Sequence, residues 1–190
     1  MLNLAAWVPC TEMEGPGRRF AIWTQGCHLR CKECCNQSYL PLVPREMIPA
    51  LGLLPAILEA RDRHGIEGIT LLGGEPMIQA RGLSLLAHAV RANGLTVMMF
   101  TGYVLESSTQ ALPDGAHDLL AACDVVVDGP FVAARRERVR NWVGSTNQRF
   151  HYLSAAYDCS IEINERYRNG IEIRFEQSGT LRVNGFPFIT

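Results

Sequence analysis

Four of the seven cysteines lie within nine residues, in a stretch that reads GCHLRCKECCN. Cys27, Cys31 and Cys34 follow the spacing C-x3-C-x2-C, and Cys35 comes directly after the third. A reduced thiol packs like a small apolar group, so packing alone does not explain why thiols gather in a polar loop. Thiolates that converge from a short loop are the usual ligands of a soft metal or an iron–sulfur cluster. Three such ligands predict a cluster with one iron left open, as in a reactive rather than a structural metal site.

A structural zinc site is the alternative interpretation of these cysteines. It would use Cys27, Cys31 and Cys34 with either Cys35 or Cys10 as the fourth ligand. Neighbouring side chains such as Cys34 and Cys35 seldom reach one metal without strain. Zinc sites also usually take their ligands from two separated pairs, and this chain has no second pair. The spacing therefore favours a cluster over zinc.

Length and composition limit the classes of protein that fit. The chain has 190 residues, of which 47% are hydrophobic, and this predicts one globular domain spanning residues 1–190. A net charge of −1 gives no sign of a nucleic-acid or membrane partner. The first ten residues lack a charged segment and their apolar run ends at Pro9, so we expect neither a signal peptide nor a transmembrane segment. Cysteines that are odd in number and clustered argue against a disulfide framework and for a reducing cytoplasm.

Short apolar strands alternate with helices through the middle of the chain. The predicted strands cover residues 19–23, 68–72, 95–100 and 124–128, and each runs into a polar loop that contains glycine. The predicted helices cover residues 49–64, 78–92 and 103–122. Pro55 moves the start of the first helix downstream, and Pro113-Asp114-Gly115 interrupts the third. Residues 1–17 are expected to form an irregular lead-in, and residues 36–46 a loop.

This alternation predicts an α/β fold with a parallel sheet covered by helices. A complete eight-stranded barrel needs roughly 250 residues, so the chain length indicates a partial, open (β/α) barrel. Four strand-like pieces follow residue 149, at 150–153, 160–164, 171–176 and 181–184, with a turn at Ser178-Gly179. They predict a C-terminal antiparallel edge or hairpin within the same domain. The candidate functional residues lie at the C-terminal ends of the parallel strands, where such folds place their sites.

The segment Gly73-Gly74-Glu75-Pro76 ends one of the buried strands. It could be a simple strand-to-helix turn, with Glu75 near a helix N-terminus, where acidic residues are favoured. It could also be a binding loop, in which paired glycines expose main-chain groups and Glu75 accepts a hydrogen bond from a cationic amine. The residues alone leave both interpretations open.

Three further loops carry weaker signals. Thr101-Gly102-Tyr103 and Asp128-Gly129-Pro130-Phe131 could each be an ordinary turn. Asp128 ends a run of three valines, where desolvation of a carboxylate is unfavourable unless a metal, an arginine or main-chain donors pair with it. The polar segment from Gly144 to Arg149 is a loop on physical grounds alone.

Together these motifs resemble the radical S-adenosylmethionine superfamily. The resemblance consists of C-x3-C-x2-C after a first strand, followed some forty residues later by Gly-Gly-Glu-Pro at a strand end. Within that superfamily, the small size and the other motifs are similar to the glycyl-radical activases, including those of anaerobic ribonucleotide reductases. The similar pieces are Gly15-Pro16-Gly17, Cys34-Cys35-Asn36, Thr101-Gly102-Tyr103, Asp128-Gly129-Pro130-Phe131, Gly144-Ser145-Thr146-Asn147-Gln148 and the segment from Gly179 to Pro187.

The resemblance implies a set of cofactor ligands. Cys27, Cys31 and Cys34 would hold a [4Fe–4S] cluster, and the amino and carboxylate groups of S-adenosylmethionine would chelate its unique iron. The segment Gly73-Gly74-Glu75-Pro76 would receive the amino group, Thr101 would line the ribose side, and Asp128 would lie near the cofactor or a monovalent cation. Two departures affect the adenine contacts: Glu33 replaces an aromatic residue that often precedes the third cysteine, and Cys35 replaces one that often follows it.

The resemblance also implies a reaction and its partners. One electron from the reduced cluster would break the C5′–S bond of S-adenosylmethionine, and the 5′-deoxyadenosyl radical would abstract a hydrogen atom. The hydrogen would come from a glycine of a partner such as an anaerobic ribonucleotide reductase, with flavodoxin or ferredoxin as electron donor. A maturase that acts on a peptide or a small molecule is the alternative, and a non-catalytic iron–sulfur or zinc module is the alternative outside enzymes.

Overall fold

A seven-stranded sheet forms the centre of the molecule. The computed structural model describes residues 1–167, 169–175 and 179–185. The strands of this sheet are β1 (Leu2–Thr11), β2 (Arg19–Thr24), β3 (Glu46–Ile48), β4 (Gly68–Gly73), β5 (Thr96–Phe100), β6 (Val125–Asp128) and β7 (Arg149–Tyr152). Their order is β3-β1-β2-β4-β5-β6-β7; β2, β4, β5 and β6 are parallel, and both flanks are antiparallel. The two end strands do not pair with each other, which confirms the predicted open, partial barrel.

Within the described residues, three α-helices connect the strands of the sheet. They are α1 (Leu54–His64), α2 (Ala80–Ala92) and α3 (Ala116–Ala121), and five short 3-10 helices cover Gln37–Tyr39, Pro76–Gln79, Ala133–Arg135, Cys159–Glu162 and Glu165–Tyr167. Helix α1 begins next to Pro55, so the predicted downstream shift of its start is confirmed. It ends at Gly65, which has a φ of 62° and donates its N–H to the Arg61 carbonyl at 2.9 Å.

The main hydrophobic core lies between the helices and the sheet. Helix α2 places its apolar positions on one face, as its spacing predicts, and Leu83, Leu86, Ala87 and Val90 are fully buried. They pack in one cluster with the sheet residues Phe20, Ile22, Ile69, Leu71 and Val97. The strands are apolar on both faces because their other side chains pack in two further hydrophobic clusters.

The expectation of an irregular lead-in over residues 1–17 is wrong. Residues 2–11 form β1, which pairs antiparallel with β2 over most of its length and with β3 at its start. The register between β1 and β2 shifts between Val8 and Thr11, and Pro9 lies in this irregularity. A proline cannot donate to a regular ladder but is tolerated at a bulge, so Pro9 is compatible with a strand at this position. The loop expected over residues 36–46 likewise contains a 3-10 helix and the start of β3.

Two other segments differ from their prediction because side chains compete with regular structure. The helix expected over residues 103–122 is limited to α3, since Ser107 Oγ accepts from the N–H groups of Thr109 (3.2 Å) and Gln110 (3.0 Å) and forms a local turn. The strand expected over residues 160–164 is a 3-10 helix, Cys159–Glu162. Asp158 begins this helix by accepting from the Ser160 N–H at 2.8 Å.

The chain after β6 contains both antiparallel features that were predicted. Strand β7 pairs with β6 at the edge of the main sheet. Strands β8 (Ile171–Phe175) and β9 (Leu181–Gly185) pair only with each other, and together they are the C-terminal hairpin. Of the earlier predictions, Glu176 at the end of a strand, Ser178 in the turn and Phe186-Pro187 in the final motif lie outside the described residues.

Different kinds of residue lie at the two ends of the parallel strands. At the N-terminal ends lies Arg19, which is fully buried and donates to Thr70 Oγ1 (3.2 Å), Thr96 Oγ1 (2.6 Å) and the Ile69 carbonyl. The C-terminal ends run into the loops that carry the candidate functional residues. Among the residues that the structure describes, no helix combines the length and the apolar character needed to cross a membrane.

Candidate functional site

The C-terminal ends of the parallel strands border a cavity of about 580 Å³. This volume lies within the range of small-molecule sites, which is about 300–1,000 Å³. Residues from six of the predicted motifs line it, including Cys27, Cys31, Cys34, Cys35, Gly73, Gly74, Glu75, Thr101, Gly102, Gly129, Phe131, Gly144 and Gln148. The structure therefore brings together the cysteines and most of the other candidate residues, although they are more than one hundred residues apart in the chain.

The cysteine loop is closed at its base by main-chain hydrogen bonds. Gly26 N donates to the Tyr39 carbonyl at 2.8 Å, and Cys27 N donates to the Leu40 carbonyl at 3.0 Å. A further bond ties His28 to the loop after β5, where its Nε2 lies 3.0 Å from the Tyr103 hydroxyl. These contacts fix the position of the loop relative to strands β2 and β5.

Two residues inside the cysteine loop have left-handed backbone conformations. Arg30 has a φ of 46° and Glu33 a φ of 60°, and they come directly before Cys31 and Cys34. Residues other than glycine seldom adopt this region, and such strain is concentrated at functional sites. The strain bends the chain sharply at each of these two cysteines.

Each of the three cysteine sulfurs receives main-chain hydrogen bonds. The N–H groups of Leu29 and Arg30 donate to Cys27, that of Phe131 donates to Cys31, and that of Asn36 donates to Cys34. Burial raises the pKa of Cys27 and of Cys31. A hydrogen bond from the Cys35 thiol lowers the pKa of Cys34 to about 6.

This environment fits an iron–sulfur cluster. Amide donors around thiolate sulfurs are the outer contacts that tune such clusters. Within the described part of the chain, no three His, Cys, Asp or Glu side chains are arranged around one metal ion. A cubane cluster does not require such an arrangement, because each cysteine binds a different iron.

Gly73 and Gly74 allow the loop after β4 to contact the cysteine loop directly. Gly74 N donates to the Thr24 carbonyl and Glu75 N donates to the Gly26 carbonyl, both at 2.8 Å. A Cβ on Gly73 would lie 2.7 Å from the Thr24 oxygen, and a Cβ on Gly74 would overlap the Gly26 carbonyl. The two glycines are therefore required for close approach of two backbones, which the sequence did not indicate.

Glu75 is a buried carboxylate at the centre of the cavity wall. Its side chain accepts three hydrogen bonds, from Met77 N (3.0 Å), Thr101 Oγ1 (2.7 Å) and Gly102 N (2.8 Å). Only 1% of its surface is exposed, and this burial raises its pKa. No cationic side chain of the described residues forms an ion pair with it.

Thr101 and Pro76 support this carboxylate in different ways. Thr101 lines the cavity and also orients Glu75 through its hydroxyl group. Pro76 is buried, does not line the cavity and begins the 3-10 helix Pro76–Gln79. Its fixed φ suits the first position of a helix, so its structural role is to turn the chain after Glu75.

Asp128 is separate from the cavity. It is fully buried and does not line the cavity wall. Its carboxylate accepts from Leu105 N (2.8 Å) and Arg149 Nη2 (3.3 Å), and His151 Nε2 lies 3.1 Å from it. The expected pairing of this acid is therefore provided by an arginine and a main-chain donor, and this placement does not support the cofactor contact that the resemblance implied.

Comparisons with known proteins agree with this geometry. A family model described as a 4Fe-4S single cluster domain matches residues 13–151. The anaerobic ribonucleoside-triphosphate reductase-activating protein of Vibrio cholerae serotype O1 is 30% identical over 155 residues, which cover 79% of this chain and 97% of that protein. The proteins of the same name from Haemophilus influenzae and Salmonella typhimurium are 26% and 28% identical, over 79% and 77% of this chain and 97% and 96% of their own lengths. The chain belongs to this family of activating proteins.

Membership of the activating-protein family establishes the class of chemistry. The chain is a radical S-adenosylmethionine enzyme of the oxidoreductase class, and its cofactors are a [4Fe–4S] cluster and S-adenosylmethionine. The zinc module and the non-catalytic module considered from the sequence are thereby set aside.

Sequence reasoning missed one wall of the cavity in this activating-type enzyme. The C-terminal hairpin contributes Ile171, Leu181, Val183 and Asn184 to the lining. It is attached to the start of the chain through Glu14, which accepts from Gly185 N (2.7 Å) and Asn184 Nδ2 (3.2 Å). The resemblance of residues 179–187 to the activases was the only signal of this role, because nothing in the composition of a short hairpin indicates which surface it covers.

Proposed function

We propose that this chain activates a glycyl-radical enzyme by abstracting a hydrogen atom from one of its glycines. The observation that carries the proposal is that Cys27, Cys31, Cys34 and Glu75 line a single open cavity. The match to activating proteins over most of their length supports it. The partner would be an anaerobic ribonucleoside-triphosphate reductase, since the relatives are named for that action. Flavodoxin or ferredoxin would donate the electron.

In this proposal the three cysteines and the Glu75 loop have distinct tasks. Cys27, Cys31 and Cys34 would each bind one iron, and their amide donors would stabilise the reduced cluster. Glu75 would accept the amino group of S-adenosylmethionine, while Gly73 and Gly74 keep that carboxylate close to the cysteine loop. When bound, the cluster and S-adenosylmethionine together supply a 5′-deoxyadenosyl radical for hydrogen abstraction.

The proposal treats residues 1–190 as one functional domain in the cytoplasm. The cavity wall includes residues from Ala6 in β1 to Gly185 in β9, so both ends of the described chain contribute to one site. All seven cysteines are free, which agrees with a reducing compartment.

Anaerobic reconstitution tests the proposed function. The protein would be loaded with iron and sulfide and reduced, and its EPR spectrum would be recorded with and without S-adenosylmethionine while 5′-deoxyadenosine is assayed. We expect a reduced-cluster signal that changes when S-adenosylmethionine is added. We also expect a stable glycyl-radical doublet when the anaerobic reductase of the same organism is present. Cys31→Ser should abolish cluster binding, whereas Cys159→Ser, which changes an exposed cysteine outside the cavity, should not.

Two results would contradict the proposal at different levels. If the EPR signal of the reduced cluster did not change when S-adenosylmethionine was added, the cavity would not be the binding site of S-adenosylmethionine. Formation of 5′-deoxyadenosine without any glycyl radical on the reductase would instead identify a maturase that acts on a peptide or small molecule.

A further inference from the structure

The C-terminal hairpin turns its polar face toward the rest of the molecule. Glu172 Oε2 accepts from Thr11 Oγ1 at 2.6 Å. Arg174 Nη2 donates to the Cys10 carbonyl at 2.7 Å. On the second strand of the hairpin, Asn184 Nδ2 donates to the same Thr11 hydroxyl at 3.0 Å. These bonds attach the hairpin to β1 through polar side chains.

The opposite face of the hairpin carries large apolar side chains that are exposed to solvent. Alternation along a strand usually turns the apolar side chains toward the body of the protein, and here the arrangement is reversed. Register places Ile173 opposite Val183 and Phe175 opposite Leu181, so the side chains form one patch. Their exposed fractions range from 49% at Ile171 to 84% at Phe175. We call this patch the apolar hairpin face, and it consists of Ile171, Ile173, Phe175, Leu181 and Val183.

The apolar hairpin face crosses the rim of the cavity. Leu181 and Val183 on β9 line the cavity, whereas their cross-strand partners on β8, Phe175 and Ile173, do not. A small molecule held inside the cavity can therefore cover the β9 side of the face but leaves the β8 side in water. Only a larger partner can bury both strands of this face.

The chemistry and the position of this face indicate what kind of partner fits it. Apolar side chains exposed singly are normal, but a contiguous apolar patch is typical of a protein interaction site. A second copy of this chain docked on the face would close the cavity to a protein substrate. A glycyl-radical partner, in contrast, has to bring a main-chain glycine to this same cavity, so its surface must pass over the rim.

We propose that the apolar hairpin face is the docking surface for the protein substrate, and that it packs against apolar side chains next to the target glycine of that partner. Burial of these side chains on both proteins would hold the partner at the cavity while the glycine enters. The inference rests on the proposed function, because it takes the substrate to be a glycyl-radical enzyme.

A double variant outside the cavity wall tests this inference. In Ile173→Thr/Phe175→Thr the exposed apolar surface is reduced, while threonine keeps a high preference for strands. Anaerobic titration calorimetry with the reductase of the same organism should show an affinity at least about tenfold weaker than that of the wild type, the effect of losing an interface anchor. The KM for the reductase in glycyl-radical formation should rise by the same factor, with an unchanged limiting rate. The amount of 5′-deoxyadenosine formed without the reductase should not change.

Two single variants separate loss of docking from general damage. Leu85→Gln is the matched control, because Leu85 is 58% exposed on α2 and does not line the cavity, and it should change none of these values. Phe175→Tyr keeps the aromatic ring and should bind the reductase as the wild type does. Iron content and circular dichroism would confirm that each variant is folded and loaded, and light scattering would measure self-association of the enzyme alone.

The outcomes distinguish this inference from the function on which it rests. A double variant that binds the reductase as tightly as Leu85→Gln would overturn the docking role alone. A double variant that loses self-association and keeps its affinity for the reductase would also overturn it, and would identify a second copy as the occupant. If the wild type binds the reductase and the double variant does not, but no glycyl radical forms, the docking surface stands and the proposed function is overturned.

Discussion

Gly74 controls the distance between the two loops that form the site. The main-chain oxygens of Gly26 and Tyr39 occupy the space that a Cβ on Gly74 would need, the latter at 2.8 Å. Backbone atoms cannot rotate away from such a clash as a flexible side chain can. The Tyr39 oxygen is also the acceptor that closes the base of the cysteine loop, so a displacement at Gly74 is transmitted to the cluster ligands.

We expect Gly74→Ala to lower the amount of iron retained after reconstitution and to destabilise the fold by about 1–3 kcal/mol, the usual effect of overpacking. Iron analysis and thermal unfolding would measure the two effects. Gly94→Ala is the control for the contact, because its Cβ would meet nothing within 4 Å; its φ of 77°, which Gly74 does not share, strains an alanine there without any clash. Equal iron content in the two variants would show that the contact is not required for cluster binding.

At the level of single residues, the sequence indicated several residues that line the cavity, but it did not indicate the charge partners. The cysteine spacing and the position of Glu75 follow from local patterns, so they could be found in the chain itself. The partner of Asp128 could not, because Arg149 pairs with it through the antiparallel register of β6 and β7. Such a pairing depends on which strands become neighbours, and that information is not local.

Among the elements, the parallel strands were predictable and the flanking ones were not. Each parallel strand is a short apolar run bounded by loops with glycine, a pattern that the sequence displays directly. Strand β1 lacks that pattern because it pairs on two sides over different lengths and contains a bulge at Pro9. The hairpin was predicted as structure, but its place on the cavity depends on contacts with residues some 170 positions earlier.

The attachment of the hairpin predicts a pH dependence of stability. Burial raises the pKa of Glu14 to about 7, whereas an unfolded glutamate titrates near 4.3. Between these values the folded state binds more protons than the unfolded state. Stability due to this group therefore falls as the pH rises through that range, and changes no further above it.

We expect Glu14→Gln to reduce this dependence and to be more stable than the wild type at pH 8, by up to about 4 kcal/mol, since each pKa unit corresponds to about 1.4 kcal/mol. The amide oxygen of glutamine can still accept from Gly185 N and Asn184 Nδ2. Anaerobic denaturation at pH 5 and pH 8 would test this, with Glu12→Gln at an exposed neighbour as control. Parallel pH profiles for the wild type and Glu14→Gln would contradict the prediction.

At the scale of the whole molecule, a buried arginine that joins the parallel strands and the cavity lie at opposite ends of those strands. Arg19 joins β2, β4 and β5 at their N-terminal ends, and the cavity lies at the opposite ends. Perturbations at sites this far apart are usually independent of each other.

We expect Arg19→Ala to lower the free energy of unfolding by about 2–5 kcal/mol, as when other large buried side chains are removed. The affinity of the folded, loaded protein for S-adenosylmethionine should stay within about twofold of the wild type. Denaturation and calorimetry would give the two values. Arg63→Ala, at an exposed helical position, should change neither. A large loss of affinity in Arg19→Ala would show that the two ends of the sheet are coupled.

The bonds at the base of the cysteine loop also have a consequence for cluster assembly. Because main-chain hydrogen bonds tie Gly26 and Cys27 to Tyr39 and Leu40, the ends of the loop are held together without using the cysteine side chains. The entropy of loop closure is therefore lost during folding of the sheet and not during metal insertion. This is the reverse of a zinc finger, in which metal binding and folding are one event. We therefore expect a chain that has lost its cluster to oxygen to keep its circular dichroism spectrum and to take up iron and sulfide again without being refolded.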